Sequence, residues 1–130
     1  MREIKFRAWD KLHKEMVKCV GMRMVFERAN GEAMSTLGPT TTNHIHPSYF
    51  EMMQFTGFTN NGEDWYEDDI LESDGDWYQI EWCDEQGRWI AAGVNSTHQD
   101  IDLCELLGSE TWLQGNIYEN PELLGESVHN

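Results

Sequence analysis

The sequence has almost no basic residues beyond its first 28 positions. Eight of the nine lysines and arginines lie in residues 1–30 beside four carboxylates, which gives this segment a charge of +4. Residues 31–130 carry 20 carboxylates and one base, Arg88, and therefore a charge of −19. A body this acidic repels nucleic acid and anionic membranes, and it attracts basic surfaces.

Disulfide, membrane and secretion signals are also missing. The three cysteines, Cys19, Cys83 and Cys104, are odd in number and far apart, so they predict free thiols rather than disulfides or a CxxC metal site. No apolar run approaches the ~18 residues of a membrane-spanning helix. The charged, alternating start of the sequence is unlike a signal peptide, so we expect a cytoplasmic protein without a membrane partner.

Motifs of the common enzyme classes are absent as well. The sequence contains no GxSxG nucleophile motif, no P-loop and no GxGxxG dinucleotide motif. We therefore expect a protein that is not an enzyme and that holds no cofactor or metal.

Short alternating segments separated by turn residues predict a mostly β fold. Residues 3–9 alternate polar and apolar side chains, and residues 16–26 form a second apolar stretch of two strands or a strand and a bend. Residues 30–43 predict a long loop. Beyond Tyr49, further strands are expected around the turns Asn61-Gly62 and Gln86-Gly87, with a short helix near residues 100–107 and a final strand over residues 112–118. Asn120, Pro121 and Gly125 then predict one short C-terminal helical turn.

Three segments, in order, resemble the YopX family of phage and prophage proteins. They are Met1 to Asp10 (MREIKFRAWD), Met53 to Ile70 (MQFTGF, then NG, then YEDDI) and Gly115 to Leu124 (GNIYENPELL). The resemblance implies an α+β, mostly β fold, with an N-terminal α+β part in residues 1–48 and a C-terminal SH3-like barrel in residues 49–130. It implies a phage origin and brings no mechanism with it.

One position departs from the family pattern. The family commonly has Glu-Gly-Asp where this chain has Glu67-Asp68-Asp69. If that glycine serves a turn with positive φ, Asp68 must adopt the same conformation, which Asp tolerates better than most residues.

The densest run of carboxylates lies in residues 63–76, with aromatic side chains inside and beside it. Same-face side chains on a strand repeat every ~6.6 Å, and duplex DNA presents a phosphate every ~3.4 Å per strand, so a sheet of carboxylates can approximate the charge of nucleic acid. Aromatic residues supply the anchors that dominate protein interfaces. The predicted partner-binding residues are Glu63, Asp64, Trp65, Tyr66, Glu67, Asp68, Asp69, Glu72, Asp74, Asp76 and Trp77. The alternative interpretation is a solvated face that only confers solubility.

These features favour a protein that binds a basic surface of a host or defence protein, without contacting nucleic acid itself. Its most specific version is an acidic, nucleic-acid-mimicking inhibitor, for example an anti-CRISPR protein. One alternative is a divalent-metal enzyme that uses clustered carboxylates with His44 and His46. A second is a nucleic-acid-binding module that uses the N-terminal basic face, including Lys5, Arg7 and Lys11, with Trp9 or Phe26 stacking on a base.

Overall fold

A computed structural model describes residues 5–20, 25–35, 43–44, 49–94 and 100–124 of the chain. The chain divides into two compact units between Gln54 and Phe55, whereas the sequence-based division was placed after residue 48. The described residues are mostly β, with very little helix. None of their helices is long and apolar enough to cross a membrane.

The first unit is built from one antiparallel meander and a returning strand. Its strands are β1 (Phe6–Asp10), β2 (Glu15–Val20), β3 (Val25–Glu27), β4 (Ala33–Ser35), β5 (Asn43–His44) and the first half of β6 (Phe50–Asn60). β1 lies between β2 and β6, in register Ala8 to Val17 and Ala8 to Met52. Every pairing is antiparallel except the short parallel contact of β4 with β5.

The core of the first unit is small and aromatic. Phe26 of β3 stacks on Phe50 of β6 with ring centroids 4.2 Å apart, and Ala8 and Val17 complete the buried cluster. Residues 16–26 thus contribute two strands, one of the two alternatives left open by the sequence. The predicted loop over residues 30–43 was wrong in part, because residues 33–35 form strand β4, and residues 36–42 of it lie outside the described residues. No α-helix occurs among the described residues of this unit.

The second unit contains a hairpin and a five-stranded antiparallel sheet. The second half of β6 pairs with β7 (Glu63–Tyr66). The sheet has the order β11-β10-β9-β8-β12 and does not close into a hydrogen-bonded barrel among the described residues. Its strands are β8 (Asp69–Ser73), β9 (Asp76–Cys83), β10 (Arg88–Gly93), β11 (Ile101–Asp102) and β12 (Thr111–Asn116).

Turn residues explain why the hairpins form where they do. Asn61 and Gly62 join β6 to β7 with φ values of 52° and 79°, and Asp74 and Gly75 join β8 to β9 with 53° and 88°. Two successive positive φ angles match the turn that suits a right-twisted hairpin. The predicted turns at Asn61-Gly62 and Gln86-Gly87 are both confirmed, the latter between β9 and β10.

The core of the second unit lies on one face of the five-stranded sheet. Its buried residues come from β7, from three strands of the sheet (β8, β9 and β10), and from a 3-10 helix at Leu103–Leu106. They are Trp65, Leu71, Tyr78, Ile80, Trp89, Ala91, Leu103 and Leu106. The short helix expected near residues 100–107 is therefore this single turn, preceded by strand β11. The expected C-terminal helical turn is confirmed at residues 122–124.

Asp68 occupies the tight turn between β7 and β8 with φ at 71°, as the departure from the family's glycine predicts. Its backbone N–H donates to the carbonyl of Ile80 at 2.9 Å, and its carbonyl accepts from the N–H of Ile117 at 3.1 Å. Its carboxylate accepts from Gln79 Nε2 at 3.3 Å and from the Tyr118 hydroxyl at 3.4 Å. Asp68 therefore links the turn to β9 and to the segment after β12.

Two substitutions at this position separate backbone strain from side-chain bonding. Asp68→Gly and Asp68→Ala both remove the carboxylate, but only alanine keeps a Cβ at positive φ. We expect Asp68→Ala to be less stable than Asp68→Gly by about 1–2 kcal/mol, measured by urea unfolding. Equal stability of the two variants would show that the positive φ is relaxed without cost.

Candidate protein-binding face

The five-stranded sheet has a second face that is turned away from its core. Because side chains alternate along a strand, residues next to the core positions Leu71, Tyr78 and Leu113 point the other way. We call this the outer face. It carries Ile70 and Glu72 of β8, Trp77, Gln79, Glu81 and Cys83 of β9, Arg88, Ile90 and Ala92 of β10, Asp102 of β11 and Trp112 of β12. Ile70 is fully buried, so the outer face is covered at that position.

Three of these residues form a row across the outer face. Trp112 is the register partner of Glu72, and Glu72 is the register partner of Trp77. Directly opposed residues of antiparallel strands share a face, with Cβ atoms about 5 Å apart. Trp112 is 51% exposed, whereas Glu72 and Trp77 are half-buried. An acidic side chain thus lies between two indoles.

A hydrogen bond at the neighbouring turn orients the carboxylate of this row. Glu72 Oε2 accepts from the backbone N–H of Gly75 at 2.8 Å. Gly75 belongs to the tight turn between β8 and β9, so the turn geometry fixes one carboxylate oxygen. The sequence pattern of β8 and β9 does not reveal this arrangement, because it depends on the register that the turn sets.

A cavity of about 320 Å³ lies elsewhere in this unit, and a second of about 240 Å³ lies on the outer face. The latter is lined by Gln79, Glu81, Ala92, Gly93, Val94 and Leu124. Among the described residues that line it, Glu81 is the ionisable one, and the others contribute amide, backbone and aliphatic groups. The cavity therefore suits the aliphatic stem of a long side chain that ends in a positive charge.

The electrostatic environment of Glu81 also favours a positively charged ligand. Its carboxyl pKa is raised from the ordinary value of 4.5, first because it is partly removed from water and then because Asp100 and Asp68 repel its charge. The residue as a whole is still exposed, so solvent screens much of this repulsion. A positive charge brought to this point would offset the repulsion from Asp100 and Asp68.

The predicted partner-binding residues differ widely in exposure. Glu63, Asp74 and Asp76 are exposed, and they lie beside the two tight turns. Half-buried positions are Asp64, Tyr66, Glu67, Asp68, Glu72 and Trp77. Only Glu72 and Trp77 of the set lie on the outer face defined by the register of the sheet.

Two members of the predicted set are buried and serve the fold. Trp65 is 1% exposed, packs in the core, and its carbonyl accepts from the Thr56 hydroxyl at 2.8 Å. Asp69 is 1% exposed, and its Oδ2 accepts from the backbone N–H of Tyr66 at 2.8 Å. A run of carboxylates in a sequence does not reveal which of its members close turns. The prediction from sequence therefore assigned all of them to the binding surface.

Residues of the N-terminal basic face are engaged within the first unit. Lys11 pairs with Glu51 at 3.0 Å, and Arg28 pairs with Glu15 at 2.6 Å and Glu32 at 2.9 Å. Phe26 is fully buried, so it is not placed to stack on a base. These contacts count against nucleic-acid binding by Lys11, Arg28 and Phe26. They do not test the same role for Lys5 and Arg7.

The metal-site alternative draws on residues that the structure describes only in part. The backbone of His44 lies in β5, and His46 lies outside the described residues. Within the described ranges, no group of three or more His, Cys, Asp or Glu side chains is arranged to hold a metal ion. The carboxylates of residues 63–76 therefore do not converge on a common centre.

The segments that carry the family resemblance contain turn-closing side chains that the sequence did not single out. Buried Asp10 accepts from the N–H groups of Leu12 at 2.9 Å and His13 at 3.1 Å. Buried Asn116 accepts from Tyr118 N–H at 3.0 Å and Glu119 N–H at 2.8 Å. Asp and Asn followed by turn residues are the available signal for such bonds.

A contact between Asp10 and His13 was also missed. His13 Nδ1 lies 2.6 Å from Asp10 Oδ2, and the imidazole is partly exposed whereas the carboxylate is fully buried. The spacing of three residues in Trp9-Asp10-Lys11-Leu12-His13 is the only sequence signal. A carboxylate that orients an imidazole occurs in many enzymes, and here it lies at a turn between two strands of the first unit.

Comparison with known proteins gives consistent matches over nearly the whole chain. The sequence profile of the family described as YopX protein matches residues 5–125. The crystal structure of protein EF1440 from Enterococcus faecalis superposes with a TM-score of 0.65 at 25% identity, covering 95% of this chain and 99% of that one. Protein yopX from Bacillus subtilis superposes with a TM-score of 0.51 at 16% identity, covering 95% and 97%. No curated protein matches the sequence.

The raised pKa of Glu81 predicts how stability responds to pH. The folded state holds the Glu81 proton more tightly than the unfolded state, so this residue's contribution to stability is lost as pH rises through the folded pKa. We expect Glu81→Gln to be more stable than wild type at pH 7 and to lose this advantage as the pH falls toward 4.5.

Thermal unfolding across this pH range measures the effect, with Glu85→Gln as the control. Glu85 is exposed in the turn after β9, so its substitution removes one charge without the neighbours of Glu81. An advantage of Glu81→Gln that equals that of Glu85→Gln, or that persists unchanged in acid, would contradict the local repulsion.

Proposed function

We propose that this chain, which belongs to the YopX protein family, is a non-enzymatic phage or prophage accessory protein. In this proposal it acts in the cytoplasm of the host cell by binding a basic surface of another protein. The contact is made by the outer face of the five-stranded sheet and by the exposed carboxylates at its hairpin turns.

The observation that carries the proposal is the one-sided charge of the second unit. Residues 55–130 contain 18 carboxylates and one base, Arg88, and Arg88 pairs with Asp102 at 2.7 Å. Self-repulsion of this size costs stability. A basic partner would offset the repulsion and would be steered to this surface at long range.

A more specific version is that the protein mimics nucleic acid. Neighbouring strands are spaced by about 4.8 Å, and same-face residues along one strand by about 6.6 Å, so carboxylates on a twisted sheet approach the spacing of phosphates. A host or defence protein that binds nucleic acid, for example a CRISPR protein, is the partner class that such a surface fits. The exposed carboxylates Glu63, Asp74, Asp76, Glu81, Asp84 and Glu85 would supply the charge.

The finer fold assignment is part of the same proposal. Consecutive hairpins from β8 to β10, a single 3-10 turn between β11 and β12, and the return of β12 to β8 are the connections of an SH3-like barrel. This order supports the assignment of the second unit to that class. Small barrels of this kind commonly present one sheet face and its loops to partners.

Association kinetics with a captured partner test the proposal. Basic proteins retained from a bacterial lysate are purified, and their association rates with the chain are measured at low and high salt. Asp76→Lys, Asp84→Lys and Glu85→Lys in combination should slow association by about tenfold or more, with a smaller change in dissociation. All three residues are exposed and have ordinary backbone angles, so the fold should persist.

The matched control replaces the same residues with Asn, Asn and Gln. This variant should fall between wild type and the lysine variant, because it removes charge without reversing it. Rates indifferent to both salt and charge reversal would contradict the proposal. Competition by duplex DNA for the partner would favour nucleic-acid mimicry, and its failure would remove mimicry while leaving protein binding intact.

The reversal of Glu67, Asp68 and Asp69 is unsuitable for this experiment. Asp69 is buried and Asp68 holds a positive-φ turn, so lysine at these positions would unfold the chain. Slower association by such a variant would report lost structure rather than lost charge.

A further inference from the structure

We infer that the row of Trp112, Glu72 and Trp77 is a docking site for an arginine side chain of the basic partner. The inference rests on the proposed function, and it names the group that the outer face recognises. The guanidinium would lie against the indole of Trp112 with its N–H groups directed at the carboxylate of Glu72, and Trp77 would form the second wall.

Spacing across the sheet fits this ligand. Each indole is one strand away from Glu72, so the two walls are about 10 Å apart at their Cβ atoms. A planar group about 3.5 Å from a ring face is in van der Waals contact with that ring, so the space between the two positions can admit a guanidinium. Glu72, at the middle position of the row, supplies the complementary charge.

The exposure of Trp112 favours recognition over a purely structural role. Among the large apolar side chains of the second unit, Trp112 is the most exposed of those described, at 51%. Its strand neighbours behave differently, because Thr111 is buried and Leu113 packs against the core. Tryptophan is one of the residue types enriched among binding hot spots.

Arginine fits better than lysine for geometric reasons. Guanidinium is planar, stacks on aromatic faces and donates several N–H bonds in one plane, whereas an ammonium is a compact, strongly hydrated point charge. Glu72 Oε2 already accepts the bond from Gly75. The other oxygen of the Glu72 carboxylate, and the second lone pair of Oε2, can still accept hydrogen bonds. A guanidinium can donate more than one N–H to them.

Titration with hexa-arginine and hexa-lysine peptides tests the inference on the full chain. Indole N–H signals in NMR spectra report contacts, and fluorescence titration at low salt gives affinities. We expect hexa-arginine to shift the signals of Trp112 and Trp77 and to bind more tightly than hexa-lysine. Trp112→Leu and Glu72→Gln should each weaken hexa-arginine about fivefold, the size expected of one partly desolvated cation–π contact or charged hydrogen bond.

Matched variants control for exposure and for charge. Trp82→Leu removes an indole that is 42% exposed but belongs to the core-side register, where it contacts Trp89 at 5.1 Å. Glu110→Gln removes an exposed carboxylate outside the outer face. Both should leave the preference for arginine unchanged. Thermal unfolding of all four variants verifies the fold, and the wild-type indole shifts supply a readout that needs no variant.

The possible results separate this inference from the proposed function. Equal affinity for both peptides, or equal losses in Trp112→Leu and Trp82→Leu, would overturn the arginine site while leaving a diffuse acidic surface. Shifts confined to Trp82 would overturn it as well. Failure of the wild-type chain to bind either peptide at low salt would count against the proposed function itself.

Discussion

The second unit depends on the turn at Asp68 and Asp69, whose backbone and side-chain groups bond to three segments: β7, β9 and the stretch after β12. Asp69 closes the connection from β7 through Tyr66, and Asp68 links β9 through Ile80 and the C-terminal segment through Ile117. The core face of β8 and β9 and the outer face are both fixed by this turn. The Asp69 carboxylate, which the sequence predicted as part of a binding surface, instead stabilises this turn.

Local features of the fold were predictable, and features that depend on register were not. The dipeptide Asn61-Gly62 predicted a hairpin because few residue types adopt the positive φ that both central positions of such a turn require. The Asp68 conformation followed from comparison with the family's glycine. By contrast, the row of Trp112, Glu72 and Trp77 unites residues 72–77 with a strand about 40 residues later in the sequence, and no local pattern in either strand indicates the pairing.

The predicted binding set was drawn from one sequence segment, whereas the candidate face is drawn from several strands. Trp65 and Asp69 are buried in the structure, so they do not belong to the candidate face. Trp112 and Glu81 do belong to it, because strand pairing places them on the outer face. The residues that carry the family resemblance, including Asp10 and Asn116, bond to backbone N–H groups at turns. They define the scaffold, and the acidic and aromatic outer face is the part available for recognition.

The most direct measurement of the central claim is solvent relaxation of the tryptophan indole signals, using a soluble paramagnetic reagent with and without the bound partner. If the outer face is the contact surface, binding shields the indoles of Trp112 and Trp77 from the reagent and leaves Trp82 as accessible as before. If Trp112 remains fully accessible in the complex while another surface becomes shielded, the outer face is not the binding site.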